Sequence, residues 1–340
     1  MQRGAPLRHS VCPRVSARTL FLAIYFAIGL ISLGGSGAAP ALFAAELAPP
    51  PPAPKPTLTD EEHQQGWVLL FNGQSIDGWK GVNTPDFPYN GWTVENGYLR
   101  TIKPGPAGDI MTVGEYRDFE LSFEWRIEPG GNSGVKYLVN EGRPEPNISV
   151  ITKQRIPMLI LYAIGIAVAV YILFWRRAVS RFLVVRVLAV AVILSCGYTL
   201  IKGARAYFDQ LTALRHSAVG LEYQVLDDFE NPEPRTNPKS SAASLYILLE
   251  ATGKDLYHDD RFNQGRVIVQ ADHVEHWLNG KKVLDYNLSD PRLAQAVGET
   301  KYSLVPDFLS RDGGHIALQH HNNLVWFKNI KLRPLTAGSQ

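Results

Sequence analysis

Two near-unbroken apolar runs interrupt this chain, Pro157 to Trp175 and Phe182 to Ile201. Each is about twenty residues, which at ~1.5 Å rise per residue matches the ~30 Å of bilayer hydrocarbon. Only Arg176-Arg177-Ala178-Val179-Ser180-Arg181 lies between them. Short, cationic connections stay cytoplasmic, so the pair reads as a transmembrane hairpin with its tip inside. Arg186 stands about one turn into the second run, close enough to extend its charge back to the tip side. The plainer alternative is a pair of buried core helices. On both sides of the hairpin the chain is patterned for strands. Any fold must therefore close a β domain around this detour or divide into two pieces.

The first nineteen residues carry Arg3, Arg8, Arg14 and Arg18 and no acid, and Leu20 to Leu33 is almost wholly apolar. Small residues continue to Ala45, the layout of a secretory signal peptide or an uncleaved signal anchor over 1–45. Either form exports the β-patterned chain beyond it, which agrees with a hairpin whose basic tip is inside. Ala48 to Pro56 holds six prolines, and 46–65 reads as an extended linker. The β domain is expected over 66–147 and 218–334, with 148–217 as the insertion and its transmembrane helices at about 157–175 and 182–201. That makes the fold all-β, interrupted by two helices, with the β domain outside the cytoplasm (periplasmic or cell surface) and the lipid bilayer as a partner.

The clearest strand is Gly220 to Asp228. Leu221, Tyr223 and Val225 alternate with Glu222 and Gln224, the period of a sheet with one face on the core. A carboxylate and an amide thus share the other face, and Asp227 and Asp228 come at the strand end. Phe119 to Ile127 alternates likewise, with Glu120, Ser122, Glu124 and Arg126 on its polar face. Asn96-Gly97 and Asn279-Gly280 are hairpin turns. Further strands are expected at Val135 to Val139, Ser244 to Leu249, Arg266 to Gln270, His273 to Leu278, Lys282 to Tyr286, Ile316 to Gln319 and Val325 to Leu332.

A net charge of +2 and the lack of a dense basic patch argue against a nucleic-acid partner. The two cysteines, Cys12 and Cys196, lie in or beside apolar segments, so the β domain can hold neither a disulfide framework nor a cysteine metal site. His258-Asp259-Asp260 reads as a polar turn. His273 and His276, three apart on a strand, face opposite sides and cannot share a metal. Nothing in the pattern calls for a metal or cofactor.

Several motifs occur in a fixed order. They are Leu70-Phe71-Asn72-Gly73 with Gly78-Trp79, Asp118-Phe119-Glu120-Leu121, Gly131-Asn132-Ser133-Gly134-Val135, Leu221 to Asp227, His276-Trp277-Leu278-Asn279-Gly280 and Val325 to Ile330. In this order they resemble a bacterial family once known only as a domain of unknown function, the 3-keto-disaccharide hydrolases. The resemblance covers about Gly66 to Pro334, apart from the hairpin. It implies a concanavalin A-like jelly roll, a β-sandwich with its site on the concave face. It also implies hydrolysis of 3-keto-glycosides, sugars already oxidised at C3. The family usually has a short loop where this chain carries the hairpin. At Gln319-His320-His321-Asn322, His321 matches the family pattern and His320 replaces an acid.

A 3-keto group acidifies the hydrogen at C2, so a base can remove it and the C1 substituent can leave with help from an acid. Such a site needs a base, a proton donor and groups that hold the enolate. The candidates are Glu222 and Asp227 as acid and base, with His321 as a second proton-transfer group. Asn132, Lys136, Gln224 and Glu124 are candidates for orienting the sugar or stabilising the enolate. Each has a plainer alternative: a solvated strand face for Glu222 and Gln224, a turn for Asn132, a surface charge for Lys136, and a cross-strand ion pair for Glu124. Trp79, Trp92, Trp277 and Trp326 could stack on sugar rings but read more simply as core. The competing function is a lectin-like carbohydrate-binding domain without chemistry.

Overall fold

The computed structural model describes residues 49–105, 108–141, 148–174, 183–216, 218–310 and 312–336. The expected signal segment and the basic hairpin tip lie outside these residues.

Thirteen strands in the described residues form two antiparallel sheets. In chain order they are β1 (Val68–Leu69), β2 (Trp79–Gly81), β3 (Trp92–Glu95), β4 (Tyr98–Thr101), β5 (Ile110–Thr112), β6 (Phe119–Ile127) and β7 (Asn132–Asn140). After the helical insertion come β8 (Val219–Leu226), β9 (Asn263–Gln270), β10 (His273–Leu278), β11 (Lys281–Asn287), β12 (His315–Leu318) and β13 (Val325–Pro334). The larger sheet runs β11-β10-β9-β6-β13-β4-β3, with β1 also on β13. The smaller runs β2-β5-β12-β7-β8.

The core lies between the sheets. Phe119, Leu121, Phe123 and Trp125 of β6 face it from the larger sheet, and Val135, Tyr137, Leu221, Tyr223 and Val225 face it from the smaller. Phe123 and Tyr223 meet edge-to-face across the layer, 5.2 Å between ring centroids. The period-2 pattern therefore sorted these strands correctly, and the expected all-β sandwich forms. Asn96 and Gly97, and again Asn279 and Gly280, take positive φ at two-residue hairpin turns. This matches the mirror-image turn that suits the strand twist. Trp79, Trp92 and Trp326 are buried, as the plainer reading had it.

Two local expectations fail, and a third element differs in its bounds. Ser244 to Leu249 is not a strand: Ala243 and Ile247 have positive φ, and only isolated bridges at Leu245 link it to Tyr223 and Leu249. Its apolar residues are spaced for a coiled segment that buries Leu245 and Leu248, and periodicity alone does not separate the two. The proline-rich stretch is extended but not a free spacer. Ala53 N–H donates to Asn96 O at 2.8 Å, and Tyr98 Oη to Pro51 O at 2.6 Å, so it lies along the β3–β4 hairpin. It leads into a short helix, α1 (Asp60–Gln64), opened by a capping box of Thr59 and Glu62.

The third difference is the hairpin. Its helices, α2 (Ile148–Phe174) and α3 (Leu183–His216), extend beyond the apolar runs at their outer ends. In α3 the stretch Arg186–Arg205 is long and apolar enough to cross a membrane; the apolar part of α2, Pro157–Tyr171, is shorter. Two further helices, α4 (Glu233–Thr236) and α5 (Pro291–Gly298), lie in loops, the second leading to a 3-10 turn at Lys301–Leu304.

Candidate functional site

The insertion leaves β7 and β8 as neighbours. Lys136 pairs with Glu222, Gly134 with Gln224 and Asn132 with Leu226. On the other side of β7, Ala317 pairs with Lys136 and Leu318 with Val135. Gln319 N–H continues this ladder by donating to Gly134 O at 2.9 Å. Strand alternation then sets two rows on the face turned away from the core: Ala317, Lys136, Glu222 and, beside it, Gln319, Gly134, Gln224.

Gly134 is the gap between two amides, and Glu222 leans into it. A Cβ at Gly134 would come within 2.3 Å of Glu222 Oε1, so only glycine leaves the carboxylate its place. Glu222 is 3% exposed, yet among the described residues its carboxylate makes no hydrogen bond or ion pair. Burial pushes its pKa up. Lys136 and Lys301 oppose that shift, and Asp109 and Glu233 add to it. Gln224 Nε2 donates to Asn132 Oδ1 at 3.0 Å, which fixes the amide. Among the described residues, Gln224 Oε1, Gln319 Oε1 and Glu233 Oε2 are buried acceptors with no donor. Leaving a buried acceptor unmade costs ~1–3 kcal/mol, so three beside one carboxylate suit a ligand rich in O–H donors.

Lys136 is held differently. Its ammonium donates to Asp109 Oδ2 at 2.8 Å and to Ala218 O at 3.1 Å. Burial alone would lower its pKa, but Asp109 and Glu222 more than offset that and the net shift is upward. Asp109 also accepts from Ala218 N–H and from His320 N–H. Two of the three Lys136 donors are thus committed.

Sequence reading missed Asp109, Glu233, Tyr246, Lys301 and Tyr302, because they lie on loops distant in the chain. Tyr246 N–H donates to Glu222 O at 3.0 Å, which fastens that loop along the open edge of β8. The Tyr246 phenol is pushed up to about 12 by burial, with Glu222 and Glu233 adding to it. Lys301 Nζ stands 5.2 Å from the ring centroids of both Tyr246 and Tyr302. The only signal in the sequence was a lysine flanked by tyrosine and polar residues, which composition cannot tell from surface.

The other expected residues lie apart. Both oxygens of Asp227 are taken by backbone: Oδ2 accepts from Gly130 N–H at 2.7 Å and Oδ1 from Phe229 N–H at 3.1 Å. It pins the turn before β7 instead of standing beside Glu222, because one further step along the strand reverses the face. Glu124 is on the outer face of the larger sheet, paired with Lys328 at 3.3 Å and accepting from Asn329. This is the cross-strand ion pair given as its alternative. His321 is exposed and forms no hydrogen bond among the described residues. Its neighbour His320 is buried and bonded on both ring nitrogens, Nδ1 accepting from Asn322 N–H at 3.2 Å and Nε2 donating to Ile102 O at 3.0 Å.

His273, Glu275 and Asp285 bring ligand atoms within 4.8 Å of one another. The Lys282 ammonium sits among them, 3.1 Å from Glu275 and 2.5 Å from Asp285, so this is an ion-pair cluster on a strand surface.

The family described as the 3-keto-alpha-glucoside-1,2-lyase-like domain matches residues 66–155 and 206–333, reaching into the outer ends of α2 and α3. The chain belongs to this family. A protein of Bacteroides thetaiotaomicron named 3-keto-disaccharide hydrolase is 24% identical over 289 residues, 79% of each chain. A crystal structure from Parabacteroides distasonis, described as a candidate glycosyl hydrolase, matches with a TM-score of 0.56 at 24% identity. It covers 83% of this chain and all of that one, and supports the fold. The family and the enzyme expected from the ordered motifs are both borne out.

Proposed function

We propose that this protein cleaves the glycosidic bond of 3-keto-glycosides, on a concanavalin A-like jelly roll tethered to a membrane and facing away from the cytoplasm. The observation that carries the chemistry is the Glu222 carboxylate, buried, unpartnered and seated over Gly134. A carboxylate pushed up toward its neutral form is a stronger base once ionised, which suits removal of the C2 hydrogen. Electrons from that C–H bond move to the C3 oxygen as an enolate, then return to expel the C1 oxygen. Water adds to the resulting double bond. Asn132, Gln224 and Gln319 offer acceptors to sugar hydroxyls, and Lys136 has one N–H left for the ring. His321, exposed two residues beyond Gln319, is the group retained for protonating the leaving oxygen.

The tether rests on the exposed apolar surface of both helices. Leu161 on α2 and Leu194 and Ile201 on α3 are each about two-thirds exposed or more. Helices apolar on all sides are buried in protein or lipid, and these residues stay exposed although the two helices pack on each other. A purely lectin-like role would use the same acceptors but gives no reason for an unpartnered Glu222.

The test is incubation of the purified full chain with a 3-keto-disaccharide and with its unoxidised parent. Cleavage of the ketone alone is the expected result. Cleavage of neither, with the ketone merely bound, supports the lectin.

A further inference from the structure

Two cations act on Glu222 electrostatically, and among the described residues only Lys136 is committed to other acceptors. Lys136 is fixed by Asp109 and by Ala218 O. Lys301 makes no hydrogen bond or ion pair among the described residues. It begins the 3-10 turn Lys301–Leu304, which Thr300 caps through Tyr302 N–H, so its backbone is fixed while its amino group is not. Two tyrosine rings, Tyr246 and Tyr302, hold that amino group at 5.2 Å each. Tyr246 is in turn fastened to the backbone of Glu222 itself. The arrangement is a cation on an aromatic cradle that is itself bonded to the Glu222 backbone, with the ammonium beyond ion-pair distance of the carboxylate and, among the described residues, its three donors unused.

We propose that Lys301 is a catalytic residue of this site, the cation that takes the developing negative charge on the C3 oxygen while Glu222 takes the C2 proton. This rests on the 3-keto-glycoside reading above. In the step, the C2–H pair becomes a C2=C3 bond, the C3=O pair moves to oxygen, and Lys301 N–H donates to that oxygen. When the C1–O bond breaks, C3=O re-forms, a C1=C2 bond appears and the leaving oxygen takes a proton. Nothing is oxidised or reduced. An acceptor-free ammonium suits this role because it exchanges no existing hydrogen bond for the new one. Burial holds the Lys301 pKa down, with Lys136 adding to it, while Glu222, Glu233 and Asp109 oppose. Tyr246 and Tyr302 are the other titratable groups against it, both pushed up by burial. Lys301 is thus the first of these two cations to lose its proton as pH rises.

The experiment compares the full chain with Lys301→Met and Lys301→Arg on a 3-keto-disaccharide. Lys301→Met keeps the alkyl stem against the rings and removes the charge. It is expected to lose ~10²–10³-fold in kcat, with KM within about threefold. Lys301→Arg keeps a charge that does not titrate, and is expected to retain part of kcat and shift the basic limb of the pH profile upward. A Lys301→Met enzyme with kcat within about threefold of wild type overturns the assignment. So does an unmoved basic limb in Lys301→Arg, which decides the matter if Lys301→Met does not fold. If wild type itself leaves the ketone intact, the underlying reading fails, a result distinct from either.

Discussion

At the scale of single residues, position along a strand decides role more than residue type does. Glu222 and Asp227 are both carboxylates at one strand, five residues apart. One is left unpartnered on the polar face and the other is consumed by two backbone amides. His276 is a similar case. It is fully buried, with Nδ1 donating to Ala243 O and Nε2 accepting from Tyr137 Oη, each at 2.8 Å. Burial holds its pKa at about 4, below the ordinary 6.5. An imidazole kept neutral contributes stability that is complete above the unfolded value. That contribution is lost as pH falls from 6.5 toward 4, because the unfolded chain takes up the proton first. The loss is expected to reach about 3 kcal/mol at pH 4. Denaturant titrations of wild type and His276→Gln over this window check it, with the variant showing the shallower fall.

At the scale of elements, the insertion is held at both ends by charge. On the entry side Lys80 pairs with Glu141 at 2.8 Å, just past β7. On the exit side Ala218 gives its N–H to Asp109 and its carbonyl to Lys136. The helices thus leave the sandwich at one end of β7 and β8 without parting the two strands. Asp109 is the hinge of this arrangement, since it also fixes the backbone of His320. Breaking a buried ion pair from one side leaves the other charge stranded, at ~3–5 kcal/mol. Asp109→Ala is expected to cost about 3 kcal/mol, the lower end, because Glu222 still faces Lys136. The midpoint of chemical unfolding measures it. The coil at 241–249 belongs at this scale too. Its hydrogen bonds from Ala243 and to Ser244 run along Gln224, so it closes the edge of β8 without becoming a strand.

At the scale of the molecule, a β-sandwich and an apolar helix pair ask for different surroundings. The sandwich buries its apolar residues between its sheets, and the helices show theirs to the outside. The full chain is expected to float with lipid vesicles on a density gradient. A variant in which 148–217 is replaced by a short polar loop is expected to stay soluble and to keep ketone cleavage, since Glu222, Gln224 and Gln319 lie outside the insertion. Flotation unchanged by that replacement places the membrane contact elsewhere.

The sequence by itself determined most of the long strands, the hairpin turns and the faces. Alternation of apolar and polar residues is a local property, and it sorted Leu221, Tyr223 and Val225 from Glu222 and Gln224 without knowledge of their neighbours. The ordered motifs likewise carried the family across the interruption. Only the tertiary structure decided which polar residues meet. Asp109, Lys301 and Tyr246 join Glu222 through loop paths that no short-range pattern encodes, and Glu124 and Asp227 leave it for partners equally distant in the chain. The physical reason is that burial and pairing, which give a charged group its chemistry, are set by contacts between segments far apart along the backbone.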